Sequence, residues 1–166
     1  MANSTQVPSR PAWPLSLHRI FLIASFATWF GGFGFYVSIV VPIGTDVLGT
    51  PFAQGMITRQ VTNWLNLFSG IAFTSMLLES VMSWRQSAPW LRRIQLGLCL
   101  LLIASLIALV VLHPALDAMI DFEAGSVTDS DEFYNLHRIY LWVSTVQWLA
   151  AWIWLVILVL SWRERA

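Results

Sequence analysis

"IQLGLCLLLIASLIALVV", residues 94–111, holds eighteen residues and not one charge. A run of that length and character predicts a membrane-spanning helix. In hydrocarbon every backbone N–H and C=O must find its partner within the segment, and a helix is the single-segment way to do so. Two polar side chains, Gln95 and Ser105, interrupt the run. Gly97, Ala104, Ser105 and Ala108 give it a modest edge of small residues where another helix can approach.

Three more stretches read the same way. Spanning about 30 Å at about 1.5 Å per residue takes about 20 apolar residues. The spans run over residues 17–41, 64–84, 91–112 and 136–162. The first is longer than the apolar core of a secretory signal and is followed by no small-residue cleavage site, so it is read as a span. Composition agrees. The 166 residues are 57% hydrophobic and 11% charged, against about 25% charged in soluble domains. Mean hydropathy is +0.68. Length fits one domain, residues 1–166. Net charge is zero, which speaks against nucleic acid as a partner. The lipid bilayer is the expected medium. The single cysteine, Cys99, excludes an intrachain disulfide and reads as a small buried hydrophobe.

Four spans put both termini on one side. That side carries Arg10, Arg19, Arg85, Arg92, Arg93, Arg163 and Arg165, while the other carries Arg59 and Arg138. The bias predicts cytoplasmic termini, with residues 1–16 as a cytoplasmic segment, in a cell inner (plasma) membrane. The outer side collects Asp46, Asp117, Asp121, Glu123, Asp129, Asp131 and Glu132. Trp13, Trp84, Trp90 and Trp162 read as interfacial anchors. Thr50 followed by Pro51 signals a helix start, so "PFAQGMITRQVTN", residues 51–63, is expected to be a short amphipathic outer helix leading into the second span. Residues 113–135 form an outer loop, with an amphipathic turn at "PALDAMIDF" and Asp129 or Ser130 capping the last helix. The fold class is therefore all-α: an integral membrane four-helix transmembrane bundle.

Two features bear on function. On the first span Ala24, Ala27, Gly31, Gly34 and Ser38 recur at steps of three and four, a helix-packing face that Gly32 widens. On the fourth span His137, Tyr140, Ser144 and Gln147 share a face; Arg59, Asn63 and Asn66 do so at the start of the second, and His113 ends the third at the same level. These polar groups are read either as interhelical hydrogen bonds or as a polar pocket open to the outer side. Glu79 is the one acid within a span and lies about 8 Å from that helix's end. Its expected role is an ion pair with Arg85, Arg92 or Arg93; the alternative is a step in proton or cation transport.

No cofactor is expected. The alternative is haem or a metal held by His137 and His113, with Asp117 or Asp131 as a third ligand. No CxxCH, Walker, GxSxG, HExxH or dinucleotide motif occurs, so nothing positive supports an enzyme.

The stretch "GGFGFYVSIVVPIGTDVLGTPFAQGMITRQVTNWLNLFSGIAF", residues 31–73, with "FYNLHRIYLWVS" from Phe133, resembles the transmembrane protein 205-like family, also described as domain of unknown function 4149. The resemblance extends from His18 to Trp162. It implies four spans with a long loop before the last, a biochemistry linked in the family's animal member to metal-drug tolerance and membrane traffic, and His137 as the residue to watch. Three readings of function stand open. One is a non-enzymatic accessory or small-solute or metal-handling component using the outer pocket. Another is a haem- or metal-binding redox protein. The third is a structural subunit that docks a membrane protein partner, or a second copy as a homo-oligomer, through the first span's glycine face.

Overall fold

The computed structural model describes residues 13–84, 88–121 and 123–163. Its elements are α1 (Trp13–Phe35), a π-helical turn (Tyr36–Val40), α2 (Val41–Leu48), α3 (Pro51–Met82), α4 (Pro89–Asp117), β1 (Ile120–Asp121), β2 (Ser126–Val127) and α5 (Ser130–Arg163). Four helical stretches are long and apolar enough to cross a membrane: Ser16–Leu48, Pro51–Met82, Pro89–Asp117 and Ser130–Trp162. The chain is an all-α bundle of four such helices, as the apolar runs predict.

The helices outrun the spans read from sequence. The first stretch has 33 residues and the second 32, about 50 Å each against about 30 Å of hydrocarbon. Residues 51–63 are thus no separate outer helix; they are the first turns of α3 itself. The start was legible because capping is local. Thr50 is extended and its side chain accepts from the Ala53 N–H at 3.2 Å, with Pro51 at the first helical position.

α1 and α2 form one helical path despite Pro42. A proline has no N–H to donate and its ring crowds the carbonyl four residues back. The turn widens ahead of it: the Val41 N–H donates to the Tyr36 carbonyl, five residues back, which defines the π-turn. The path ends at Gly49, whose φ of 72° is the left-handed conformation that closes a helix. Asp129 caps α5 through its Oδ1, which accepts from the Glu132 N–H at 3.0 Å.

The outer loop differs from expectation. "PALDAMIDF" is no amphipathic turn of its own. α4 continues through Pro114 to Asp117, Leu116 is buried, and Ile120–Asp121 pairs antiparallel with Ser126–Val127 in a two-residue ladder. The Gly125 φ of 62° allows the tight reversal.

Within the bundle α1 packs on α3, α3 on α4 and α4 on α5. α1 and α5 meet through aromatic rings: Phe30 stacks on Trp148 at 4.6 Å and meets the Trp152 ring edge-on at 5.2 Å. Leu22, Phe26, Trp29, Phe73, Met76, Leu102, Ala151 and Trp154 fill the centre. Trp29 meets Phe73 edge-on at 4.8 Å. Serines reach this core without orphaned hydroxyls. Ser69, Ser75 and Ser80 each donate to a carbonyl one turn back on α3. Ser25 and Ser75 also pair at 3.0 Å across α1 and α3.

Candidate functional site

At the end of the bundle that carries the termini, Glu79 on α3 is 1% exposed. Its Oε2 lies 3.3 Å from His18 Nε2 on α1, and its Oε1 accepts from the Trp162 indole N–H on α5 at 3.1 Å. One carboxylate thus joins three helices. Of the three arginines expected as its partners, Arg92 and Arg93 do not pair with it. Arg92 lies 4.1 Å over the Trp84 ring and donates to the Trp84 carbonyl at 3.2 Å; Arg93 is exposed; Arg85 falls outside the described residues. The reason is topological. His18 and Trp162 end their helices at the level of Glu79, whereas Arg92 is drawn to the ring beside the short α3–α4 link. His18 joins the site beyond the candidates read from the sequence. The signal was present: an intramembrane acid and a histidine at the same end of two spans.

Above this clasp, the Trp154 indole N–H donates to Ser80 Oγ at 3.4 Å, and Ser80 Oγ lies 3.5 Å from Cys99 Sγ. Cys99 is buried, as its apolar surroundings predicted.

At the opposite end the expected pocket residues separate into groups. Arg59 Nε lies 2.8 Å from Asp117 Oδ2, and His113 Nε2 lies 3.8 Å from the same oxygen. This brings Arg59 and His113 together, through an acid that sequence reading had considered as a metal ligand. The guanidinium occupies the carboxylate face that a cation would need. Among the described residues no three His, Cys, Asp or Glu side chains gather as a metal site requires. Tyr140 and Asn66 form a second group, their side chains facing one another across α5 and α3. Ser144 donates back to the Tyr140 carbonyl at 2.9 Å. His137 stacks on Phe133 of its own helix at 5.9 Å. Asn63 is exposed on the outside of the bundle and does not join the others. Gln147 is buried, with its Nε2 making no hydrogen bond among the described residues.

A third outer group was missed. Tyr36 in the π-turn donates to Thr58 Oγ1 at 2.9 Å, and Gln54 Nε2 donates to the Tyr36 hydroxyl at 3.3 Å. Gln54 is 3% exposed, and a Cβ on Gly44 would collide with its Oε1. Gly44 therefore lets α2 fold closely against α3. No periodicity signals this, because the contact depends on how the chain turns at Gly49.

The small-residue face of α1 lies where the bundle does not use it. Ala24, Ala27, Gly31 and Ser38 are exposed, while Leu22, Phe26, Trp29 and Tyr36 make the inward face. A Cβ added at Gly31 or Gly32 would meet nothing within 4 Å. Gly34 alone touches a neighbour; its Cβ would lie 3.9 Å from Trp148. Within one chain the expected packing role is filled by the large side chains instead. Two large rings, Phe30 and Trp148, hold α1 and α5 too far apart for close backbone contact.

No family model, no curated protein and no solved structure matches the chain.

Proposed function

We propose that this is a non-enzymatic integral membrane protein that acts as an assembly subunit, docking a transmembrane helix on the small-residue face of α1. The observation that carries this reading is the placement of that face. Ala24, Ala27, Gly31 and Ser38 line the outside of the bundle, and nothing among the described residues fills the Cβ space of Gly31 or Gly32. A glycine within a helix costs up to about 1 kcal/mol relative to alanine. No contact among the described residues requires that cost at these two positions, whereas close approach of a second helix does. The filled centre supports the same reading, since Trp29, Phe73, Met76 and Trp154 occupy the axis along which a solute would pass. The outer polar groups that pair with one another read as interhelical ties. The arginine bias supports an inner-membrane location with cytoplasmic termini.

A second copy is the occupant to test first, because two-fold pairing of one patch with itself is the commonest closed arrangement. In a Cys99→Ser background, Ala24→Cys is expected to form an oxidant-induced dimer in native membranes. Adding Gly31→Leu is expected to reduce that dimer about tenfold, the loss of roughly 1.4 kcal/mol of packing. Absence of the dimer with Ala24→Cys, or its persistence with Gly31→Leu, removes self-association on this face.

A further inference from the structure

The helical path beyond Tyr36 carries an apolar stripe that the bundle leaves bare. Ile39, Ile43 and Val47 recur at steps of four and are 44%, 57% and 77% exposed. Most of this stripe stands outside the hydrocarbon. The Arg59–Asp117 ion pair, at the end opposite the termini, is part-exposed, and such charges lie where water reaches them. Tyr36 donates to Thr58, next to Arg59, so the π-turn stands at that level and α2 stands beyond it. From Tyr36 to Val47 the path rises about 16 Å. It stays upright, because Gly44 closes on Gln54 near the start of α3. α2 therefore does not lie down into the membrane plane.

The π-turn sets which way this stripe faces. An α-helix turns about 100° per residue, and a π-turn takes up one extra residue. Counted through that insertion, Gly44 returns to the direction of Ser25, and both meet α3: Ser25 Oγ lies 3.0 Å from Ser75 Oγ, and Gly44 lies against Gln54. Without the extra residue the two directions would differ by about 100°. By the same count Ile43 falls about 20° from Gly31, and Val47 about 60°. The stripe thus prolongs the small-residue face of α1 past the membrane. Resting on the assembly-subunit reading, we propose that the two form one continuous interface, covered from Ala24 to Val47 by the same path of a second copy. The occupant has to be apolar for about 35 Å, whereas an ordinary span ends after about 20 residues. The chain's own path, Ser16–Leu48, has 33 residues, and under two-fold symmetry its stripe meets itself. The two parts contribute differently. In lipid the small residues give close packing without a hydrophobic drive; beyond it, Ile43 and Val47 leave water on pairing. Asp46 is exposed and falls about 40° to one side, at the hydrated rim. A face this long is followed only at a shallow crossing of about 20°; helices crossing steeply at Gly31 would have parted by Ile43.

The test is oxidative cross-linking of the full-length chain in native membranes, in a Cys99→Ser background. Ile43→Cys is expected to give a disulfide-linked species of twice the chain mass. Tyr134→Cys, exposed near the start of α5, is expected to give none. Ile43→Ser with Val47→Ser, added to the Ala24→Cys chain, is expected to reduce its cross-linked dimer about tenfold. Both substitutions replace exposed side chains, and far-UV circular dichroism checks that helix content is kept. A dimer from Ala24→Cys with none from Ile43→Cys overturns the continuous interface and leaves the docking on α1 in place. So does an Ala24→Cys dimer undiminished by the double substitution. No dimer from Ala24→Cys removes both. A cross-linked species of another mass from Ile43→Cys, or a Tyr134→Cys dimer as strong as that from Ile43→Cys, overturns the second copy as the occupant.

Discussion

Glu79 shows what one residue contributes to this bundle. A carboxylate 1% exposed in an apolar setting persists only with partners, and His18 and Trp162 supply them from two other helices. Removing one member of such a set leaves the others buried and unanswered. Glu79→Ala is expected to lower stability by about 3 kcal/mol. Glu79→Gln keeps an acceptor for the Trp162 indole and is expected to lose about half as much. Thermal unfolding in detergent, followed by circular dichroism, measures both. A Glu79→Ala protein that unfolds at the wild-type temperature would remove the clasp from the account of stability. The sequence disclosed Glu79 because an acid in an apolar run stands out. It did not disclose the partner, because Trp162 lies 83 positions away and helix rotation decides which side chain arrives.

Among the elements, the turn from α2 into α3 is the most demanding. The π-turn ahead of Pro42 sets the direction of α2, Gly49 reverses the chain, and Thr50 starts α3. The two arms then close on the Gly44–Gln54 contact. Gly44→Ala is expected to cost about 1–3 kcal/mol through overpacking. Gln54→Ala should relieve that cost, so the double variant is expected to be more stable than Gly44→Ala alone. A double-mutant cycle by chemical denaturation measures the coupling; additive losses would mean the contact is not shared. Here Thr50 and Pro51 were legible, since a cap is written within four residues. The closeness of Gly44 to Gln54 was not, because it follows from two backbone turns acting together.

At the scale of the whole molecule, polarity is placed at the two ends and volume in the middle. The Glu79 clasp closes one end, and the Arg59–Asp117–His113 and Tyr36–Gln54–Thr58 groups close the other. Between them Trp29, Phe73, Met76 and Trp154 exclude water by filling space. Phe73→Ala is expected to cost about 3–5 kcal/mol by opening a cavity. Wild type in proteoliposomes is expected to show no proton or potassium flux above empty vesicles. A flux abolished by Glu79→Gln would instead favour transport and count against the assembly-subunit reading.

The sequence by itself determined four apolar helices, the Thr50 start of α3, a cap for α5 at Asp129 or Ser130, and which face of α1 is small. Those features depend on periodicity, length and contacts within a turn, all of which are local. Only the tertiary structure decided where those faces point. It turned the large side chains of α1 inward and left Ala24, Gly31 and Ser38 outside. It divided the outer polar residues into separate pairs and left Asn63 exposed. It brought His18, Glu79 and Trp162 into one contact, and set Arg19 over the Trp162 ring. Each of these depends on the rotation of one helix against another. In lipid that rotation is set by packing and hydrogen bonding among all four helices at once, with little guidance from hydrophobicity, since every face of these helices is apolar enough to meet the membrane.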